Sequence, residues 1–199
     1  MSLDTYTNLK TAVASWLHRS DLTTTIPDFI TLAETQFNRT IRSRQMETLV
    51  SAAAASMLDL PVDYLAMRRL TLTTASPHPL HLLSSDEMAQ YGSASGEPVG
   101  YCIIGNHIQL VPAPDGSYTV DYVYYAKIPA LATAMPSNWL LAAFPDLYLY
   151  GSLMAAAEHI QDDPRVPLWQ QKYLALLADV NSVDKRSRAS GTAPYMRAA

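Results

Sequence analysis

Residues 138–160 read NWLLAAFPDLYLYGSLMAAAEHI, and only Asp146 and Glu158 among them carry a formal charge. Such a stretch crosses a membrane, lies in a protein core or packs against another copy of the chain. A membrane-spanning helix needs about 20 consecutive apolar residues, and the uncharged run between the two acids is only LYLYGSLMAAA. Pro145 suits the first turn of a helix. We therefore predict a buried helix from Pro145 to Ile160, with Gly151 and Ala155 forming a small-residue strip that lets another helix approach.

Composition sets broad limits on the class of protein. The chain has 199 residues, of which 49% are hydrophobic and 16% charged, and this is typical of a globular protein with one domain or two small ones. A net charge of −4 argues against a general nucleic-acid binder, because neutralising phosphates requires a basic excess. The single cysteine, Cys102, excludes an intramolecular disulfide and fits a reducing compartment. The first residues, MSLDTYTNLK, lack the apolar core of a signal peptide.

Helices are predicted near both ends of the chain. Apolar residues at 3- and 4-residue spacing follow three candidate helix starts: Thr5 or Asp4 as a cap, the region of Thr25, and Asp163 as a cap with Pro164 at the first position. This predicts one helix after each of them. A short helix is predicted between the two long helical regions, because Ser84 and Glu87 have the spacing of a capping box.

The middle of the chain has the patterns of β-strands. Residues 46–60 are ambiguous, since four consecutive alanines favour a helix by propensity, but we favour two short strands that end at Leu60-Pro61. Another strand is predicted over 67–73, and two apolar strands flank a hairpin turn at Gly105-Asn106. The segment YTVDYVYYA is rich in the residue types that strands prefer. The fold class predicted from these elements is α+β.

Candidate catalytic and metal sites are weak. The sequence contains no G-x-x-x-x-G-K-[ST], G-x-G-x-x-G or G-x-S-x-G motif. Cys102 and His107 stand on either side of the hairpin turn, and a packed strand cysteine is the favoured interpretation over a nucleophile. His78 and His81 form an H-x-x-H, but the neighbouring prolines prevent both from being presented by one helix. We predict no catalytic residue, no metal site and no cofactor.

Arginines are the more informative polar residues. Arg39, Arg42 and Arg44 cluster at the end of the second helix, and Arg68 and Arg69 adjoin an apolar strand. Two interpretations stay open. Cations at a helix C-terminus complement the helix dipole and remain solvated, or some of these five arginines form ion pairs with carboxylates of a neighbouring subunit.

Several blocks of the chain resemble, in the same order, the tailed-bacteriophage head-to-tail adaptor (connector) proteins. The blocks are TYTNLKTAVASWLHRSDLTTTIPDFITLAETQFNRTIRSR, LPVDYLAMRRLTL, YCIIGNHIQLVPAPDG, DYVYYAKIPAL, SNWLLAAFPDLYLYGSLMAAAEHIQDD and WQQKY. The resemblance implies an antiparallel helical bundle built from the N- and C-terminal segments with a central β-rich insertion. The helical domain would comprise 1–45 and 138–189, the insertion 46–137, and a flexible C-terminal tail 190–199.

The resemblance also implies a non-enzymatic structural role in the virion. Members form a ring, usually of twelve copies, that docks beneath the portal protein, receives the next tail component (a nozzle or tail-tube protein) and helps retain packaged DNA. A C-terminal extension commonly binds the portal, and here Pro194, Tyr195, Met196 and Arg197 would do so. The protein would be made in the host bacterial cytoplasm, would act at the head–tail junction without a membrane, and its lumen would contact DNA non-specifically.

Three alternatives are weighed against this hypothesis. Another connector ring component, such as a head-completion or tail-terminator protein, differs by not binding the portal directly. A small hydrolase would use Asp, His and Ser side chains from loops, and a screen with ester and phosphodiester substrates would detect it. A small binding module would use the aromatic strand YVYY, although alternating tyrosines on a strand are usually packing residues.

Overall fold

In the computed structural model, which describes residues 3–19, 21–73, 77–160 and 163–189, there are six α-helices. In chain order they are α1 (Tyr6–Leu17), α2 (Ile26–Thr40), α3 (Ser85–Ala89), α4 (Trp139–Ala143), α5 (Pro145–Ala157) and α6 (Val166–Ala189). Helices α1, α2 and α3 begin directly after the predicted capping residues Thr5, Thr25 and Ser84, whereas α6 begins three residues after the predicted cap Asp163. Thr5 caps α1 by accepting a hydrogen bond from the Asn8 N–H at 3.2 Å, and Ser84 and Glu87 form the predicted capping box of α3.

The strands form two four-stranded sheets within the described residues. In chain order they are β1 (Glu47–Ala53), β2 (Met57–Asp59), β3 (Tyr64–Thr73), β4 (His78–Pro79), β5 (His81–Leu82), β6 (Gly100–Ile104), β7 (His107–Val111) and β8 (Thr119–Ala126). The first sheet has the order β1-β8-β3-β4 and the second β2-β7-β6-β5. All pairs are antiparallel except β5 with β6, which is parallel.

Both sheets contribute to one hydrophobic core. Alternation along β8 buries Val120, Tyr122 and Tyr124, and these pack in the same cluster as Ile108 and Leu110 of β7. Successive side chains of a strand point to opposite faces, so one face of each sheet lines this core. Gly105 has φ 58° at the first position of the β6–β7 turn, which a type II′ hairpin requires.

Helix α5 lies at the centre of the helical part of the chain. It packs against α1, α2, α4 and α6, and it buries residues on all sides, including Leu147, Leu149, Ser152 and Leu153. A helix that is apolar all round belongs inside a protein. The prediction that residues 145–160 form a buried helix is therefore confirmed, although the helix ends at Ala157.

The chain divides into two compact units. One comes from residues 1–45 and 128–199 and contains α1, α2, α4, α5 and α6; the other comes from residues 46–127 and contains all eight strands and α3. The two short strands predicted within 46–60 are confirmed as β1 and β2, and the hairpin at Gly105-Asn106 is confirmed as β6–β7.

The predicted architecture, an antiparallel helical bundle with a central β-rich insertion, is wrong. The protein is α+β with mixed helices and strands: α3 lies among the strands, where it packs on β6, and the strands form two separate sheets. The prediction came from the resemblance to the head-to-tail adaptors and agreed with the order of elements along the chain. That order does not determine strand pairing, because β1 pairs with β8, the last strand, rather than with a strand close to it in sequence.

Candidate interaction surfaces

A buried carboxylate links three elements of the helical unit. Glu34 of α2 is only 5% exposed, and its Oε1 accepts hydrogen bonds from the Leu131 N–H at 2.8 Å and the Tyr148 hydroxyl at 3.2 Å. The Asn138 side-chain amide donates to the Tyr148 hydroxyl oxygen at 2.7 Å. Burial raises the pKa of Glu34, and the bonds from Leu131 and Tyr148 oppose this only in part. We call Glu34, Leu131, Asn138 and Tyr148 the Glu34 cluster.

Hydrogen bonds to side chains of α2 hold residues 128–138 against this helix. One turn further along the helix, Asn38 Oδ1 accepts a hydrogen bond from the Ile128 N–H at 2.8 Å. At the other end of the segment, the Tyr6 N–H donates to the Pro136 carbonyl at 2.6 Å. Two polar side chains of α2 thus satisfy backbone N–H groups of a segment that has no regular structure, as buried backbone groups require.

An open groove lies between α2, α5 and α6. It has a volume of about 320 Å³ and is lined by residues that include Leu32, Arg39, Gly151, Glu158 and Tyr173. Leu32 is 54% exposed, while the Tyr173 hydroxyl is buried and has no hydrogen-bond partner among the described residues. Burial raises the pKa of Tyr173, so the hydroxyl stays protonated. Its exposed Leu32 beside the charged Arg39 and Glu158 makes this groove a candidate interaction surface.

A second surface lies on the outward face of the first sheet. Arg68 donates to the Tyr125 hydroxyl at 2.9 Å and pairs with Glu47 at 3.1 Å. Its guanidinium also lies 6.0 Å from the centre of the Tyr125 ring. The neighbouring Arg69 is exposed and forms no ion pair within the described residues. Arg68, Arg69, Glu47 and Val123 line an open depression of about 600 Å³.

The predicted arginine site is divided by the fold. Arg39, Arg42 and Arg44 belong to the helical unit, whereas Arg68 and Arg69 belong to the sheet unit. Arg42 donates to the carbonyls of Asn38 at 2.7 Å and Ile41 at 2.6 Å. Arg42 therefore stabilises the end of its own helix, which agrees with the helix-dipole interpretation at that position. The predicted portal-binding residues, Pro194, Tyr195, Met196 and Arg197, lie outside the described residues.

The cysteine and histidines considered as candidate catalytic or metal-binding residues lie in the sheet unit. Cys102 is 5% exposed in β6, which confirms the prediction of a packed strand cysteine, and the ring of His107 lies 2.8 Å from Asp59. His78 is in β4 and His81 in β5, strands of different sheets. Within residues 3–19, 21–73, 77–160 and 163–189, no three His, Cys, Asp or Glu side chains are grouped to hold a metal ion.

The Glu34 cluster was missed by sequence reasoning. Its signal is the position of Glu34, which lies in the apolar stripe of α2 that includes Ile30, Ala33, Phe37 and Ile41. A carboxylate on the buried face of an amphipathic helix needs hydrogen-bond donors. The donors come from residues about a hundred positions away. The sequence therefore indicates that Glu34 needs hydrogen-bond donors but not which residues supply them.

Comparison with known proteins gives the family. No helix in the described residues is long and apolar enough to cross a membrane. No curated protein matches the chain. The family model described as SU10 adaptor protein matches residues 4–196. The match spans both units, the helical one with its Glu34 cluster and groove and the sheet unit with its arginine face. The chain thus belongs to the SU10 adaptor protein family, a family of structural adaptor proteins of bacteriophages.

Proposed function

We propose that the protein is the head-to-tail adaptor of a tailed phage. In this role it forms a ring beneath the portal, attaches the tail and helps retain packaged DNA. The observation that carries the proposal is the family match, which extends over residues 4–196. The order of the sequence blocks, each resembling the head-to-tail adaptors, supports the same role.

The surface features supply candidate contacts for such a role. An adaptor binds at least two different neighbours, so it needs more than one covered surface. The groove with Leu32, Arg39 and Tyr173 lies on the helical unit, and the arginine face lies on the sheet unit. Residues 194–197 are the proposed portal contact, and the next tail protein, a nozzle or tail-tube protein, is the other partner.

The resemblance also supplies two finer parts of the proposal. One is the copy number, usually twelve in such rings. The other is passage of DNA through the lumen, where charged side chains would contact phosphates without reading bases. The catalytic alternative is not part of the proposal, because an adaptor acts by binding.

The test is direct association with the cognate portal protein. Light scattering after gel filtration measures the mass of the purified protein alone, of the portal alone and of their mixture. A stoichiometric complex larger than the portal supports the adaptor role. A protein that does not bind the portal but binds an assembled tail would instead be another ring component, such as a tail terminator or a head-completion protein.

A further inference from the structure

The sheet unit has its positive charges along one half of β8. Residues 46–127 contain eight carboxylates and only three cationic side chains. Arg69 pairs in register with Val123 in the middle of β8, Arg68 bonds to Tyr125 two positions further on, and Lys127 directly follows β8. All three cations therefore lie along the C-terminal half of β8, where Glu47 pairs with Arg68 and Asp63 accepts a hydrogen bond from Tyr124.

Arg69 stands in a row of side chains on the outward face of the sheet. Leu49 of β1, Val123 of β8 and Arg69 of β3 are direct cross-strand neighbours. Leu49 is 61% exposed. Glu47 and Tyr125 engage Arg68, which leaves Arg69 as the cation of this face available to a partner. An exposed arginine beside apolar side chains is typical of interface positions.

Carboxylates occupy the opposite end of β8. Asp115 and Glu97 are exposed and lie around Tyr118, which precedes the first residue of the strand. The Tyr118 hydroxyl donates to Asp115 at 2.7 Å, and this bond, with the nearby charge of Glu97, raises the pKa of Tyr118. The Gly96 N–H donates to the Ala113 carbonyl at 2.9 Å, so the two loops lie side by side. Neither carboxylate has a cationic partner among the described residues.

The two ends are well separated within one unit. Val123, which pairs with Arg69, comes five residues after Tyr118, and a strand rises about 3.4 Å per residue, so Arg69 and the Asp115–Glu97 end lie roughly 17 Å apart along the strand. No ion pair joins them within the described residues of one copy. Two copies arranged head to tail would bring the unlike ends together, and charge complementarity of this kind orients and selects partners.

We propose that the Arg69 face of one copy binds the Asp115–Glu97 end of the next copy. The inference rests on the proposed function in that copies of the chain assemble side by side, and it names the residues that join them. Because the two surfaces differ, the contact is heterologous and repeats from copy to copy, closing into a ring when the rotation permits. Leu49 and Val123 supply the apolar area next to the ion pair.

Charge reversal on the full-length protein tests the contact. We would make Arg69→Glu and Asp115→Arg separately, then combined in one chain, and also mix the two single variants. Sedimentation velocity measures association of the free protein, and mass measurement counts copies bound to the portal. Each single variant should associate at least tenfold more weakly. The double variant and the equimolar mixture should both recover, because each restores unlike charges at every contact.

A matched control separates this contact from general charge effects. Asp86→Arg changes an exposed carboxylate of α3 that belongs to neither of the two surfaces. It should weaken association by less than twofold. Raising the salt concentration should weaken the wild-type contact, since exposed ion pairs are screened.

Three results would overturn the inference. These are single variants that assemble as the wild type does, single defects that the mixture fails to rescue, and copies that stay separate both free and with the portal. The proposed function fails independently of this. If the mixture of single variants associates but the protein does not bind the portal, the contact stands and the adaptor role is rejected. If both reversal variants bind the portal as the wild type does, the adaptor role stands and the contact is rejected.

Discussion

Gly151 of α5 faces Phe37 of α2 so closely that a Cβ at position 151 would lie 2.7 Å from the Phe37 Cζ. Phe37 is fully buried, and its ring packs edge-on against Tyr148 with the ring centres 5.1 Å apart. A side chain at position 151 would therefore force the Phe37 ring to shift. The close approach of α2 and α5 therefore depends on residue 151 being a glycine.

Replacing Gly151 with Leu should overpack this contact. We expect a loss of about 1–3 kcal/mol in the free energy of unfolding, the usual cost of forcing extra carbons into a filled core. Urea denaturation followed by circular dichroism measures it. Gly96→Leu is the control, because nothing lies within 4 Å of a Cβ there. Equal stability of Gly151→Leu and the wild type would mean that this face of α5 is open.

Replacing Glu34 with Gln should change how stability depends on pH. Burial raises the pKa of Glu34 above its ordinary value of 4.5, so the folded state holds this proton more tightly than the unfolded state. The wild type should then lose stability as the pH rises from about 4.5 through the raised pKa. The Gln variant lacks that loss and should be at least as stable at pH 7. Denaturation curves at a series of pH values measure the difference between the two proteins.

Glu34→Ala separates the acceptor from the charge. It leaves the Leu131 N–H and the Tyr148 hydroxyl without the oxygen they share. Buried donors left unsatisfied cost about 1–3 kcal/mol, so this variant should be less stable than both the wild type and the Gln variant. The same loss in Gln and Ala variants would contradict the role assigned to the cluster.

Deleting residues 190–199 should separate binding from folding. From the sequence, this segment has too little apolar mass to pack alone, so the melting temperature should remain nearly unchanged. Portal association should be lost, since the proposed contact residues are removed. Calorimetry and co-purification with the portal measure the two effects. A large fall in melting temperature would show that the segment belongs to the fold.

The free protein should be monomeric or weakly associated before it meets the portal. Premature rings would compete with ordered assembly, and a contact based on exposed charges is weak in isolation. Light scattering over a range of concentrations and salt measures this. A monodisperse large ring formed by the protein alone would contradict the expectation.

Local structure could be predicted from sequence where one short segment contains all the information. The β6–β7 hairpin follows from Gly105 between two apolar runs, and the α3 capping box from Ser84 and Glu87. The strands at 46–60 were predicted correctly against the helical propensity of four alanines. Tertiary packing overrides that propensity, because Val50 and Ala52 pack against the core of the sheet unit.

Long-range arrangement could not be predicted in the same way. The pairing of β1 with β8 and the parallel pair β5–β6 depend on contacts between distant segments, and the alternation within each strand is equally compatible with other partners. The helix predicted from Pro145 was correct in kind, but the sequence pattern did not predict the separate short helix α4 before Phe144. The Glu34 cluster requires the same long-range information.

Asn138 determines the direction of hydrogen-bond donation in the Glu34 cluster. Its amide donates to the Pro129 carbonyl and to the Tyr148 hydroxyl oxygen, both at 2.7 Å, and its Oδ1 accepts from the Leu141 N–H at 2.8 Å. Because the Tyr148 oxygen already accepts from Asn138, its own proton points to Glu34. Hydrogen-bond donation therefore runs in one direction, from the Asn138 amide through the Tyr148 hydroxyl to the Glu34 carboxylate. An aspartate at position 138 would have almost the same shape but no N–H group to donate to the Pro129 carbonyl and the Tyr148 oxygen. The site therefore discriminates between the two side chains by the protons they carry.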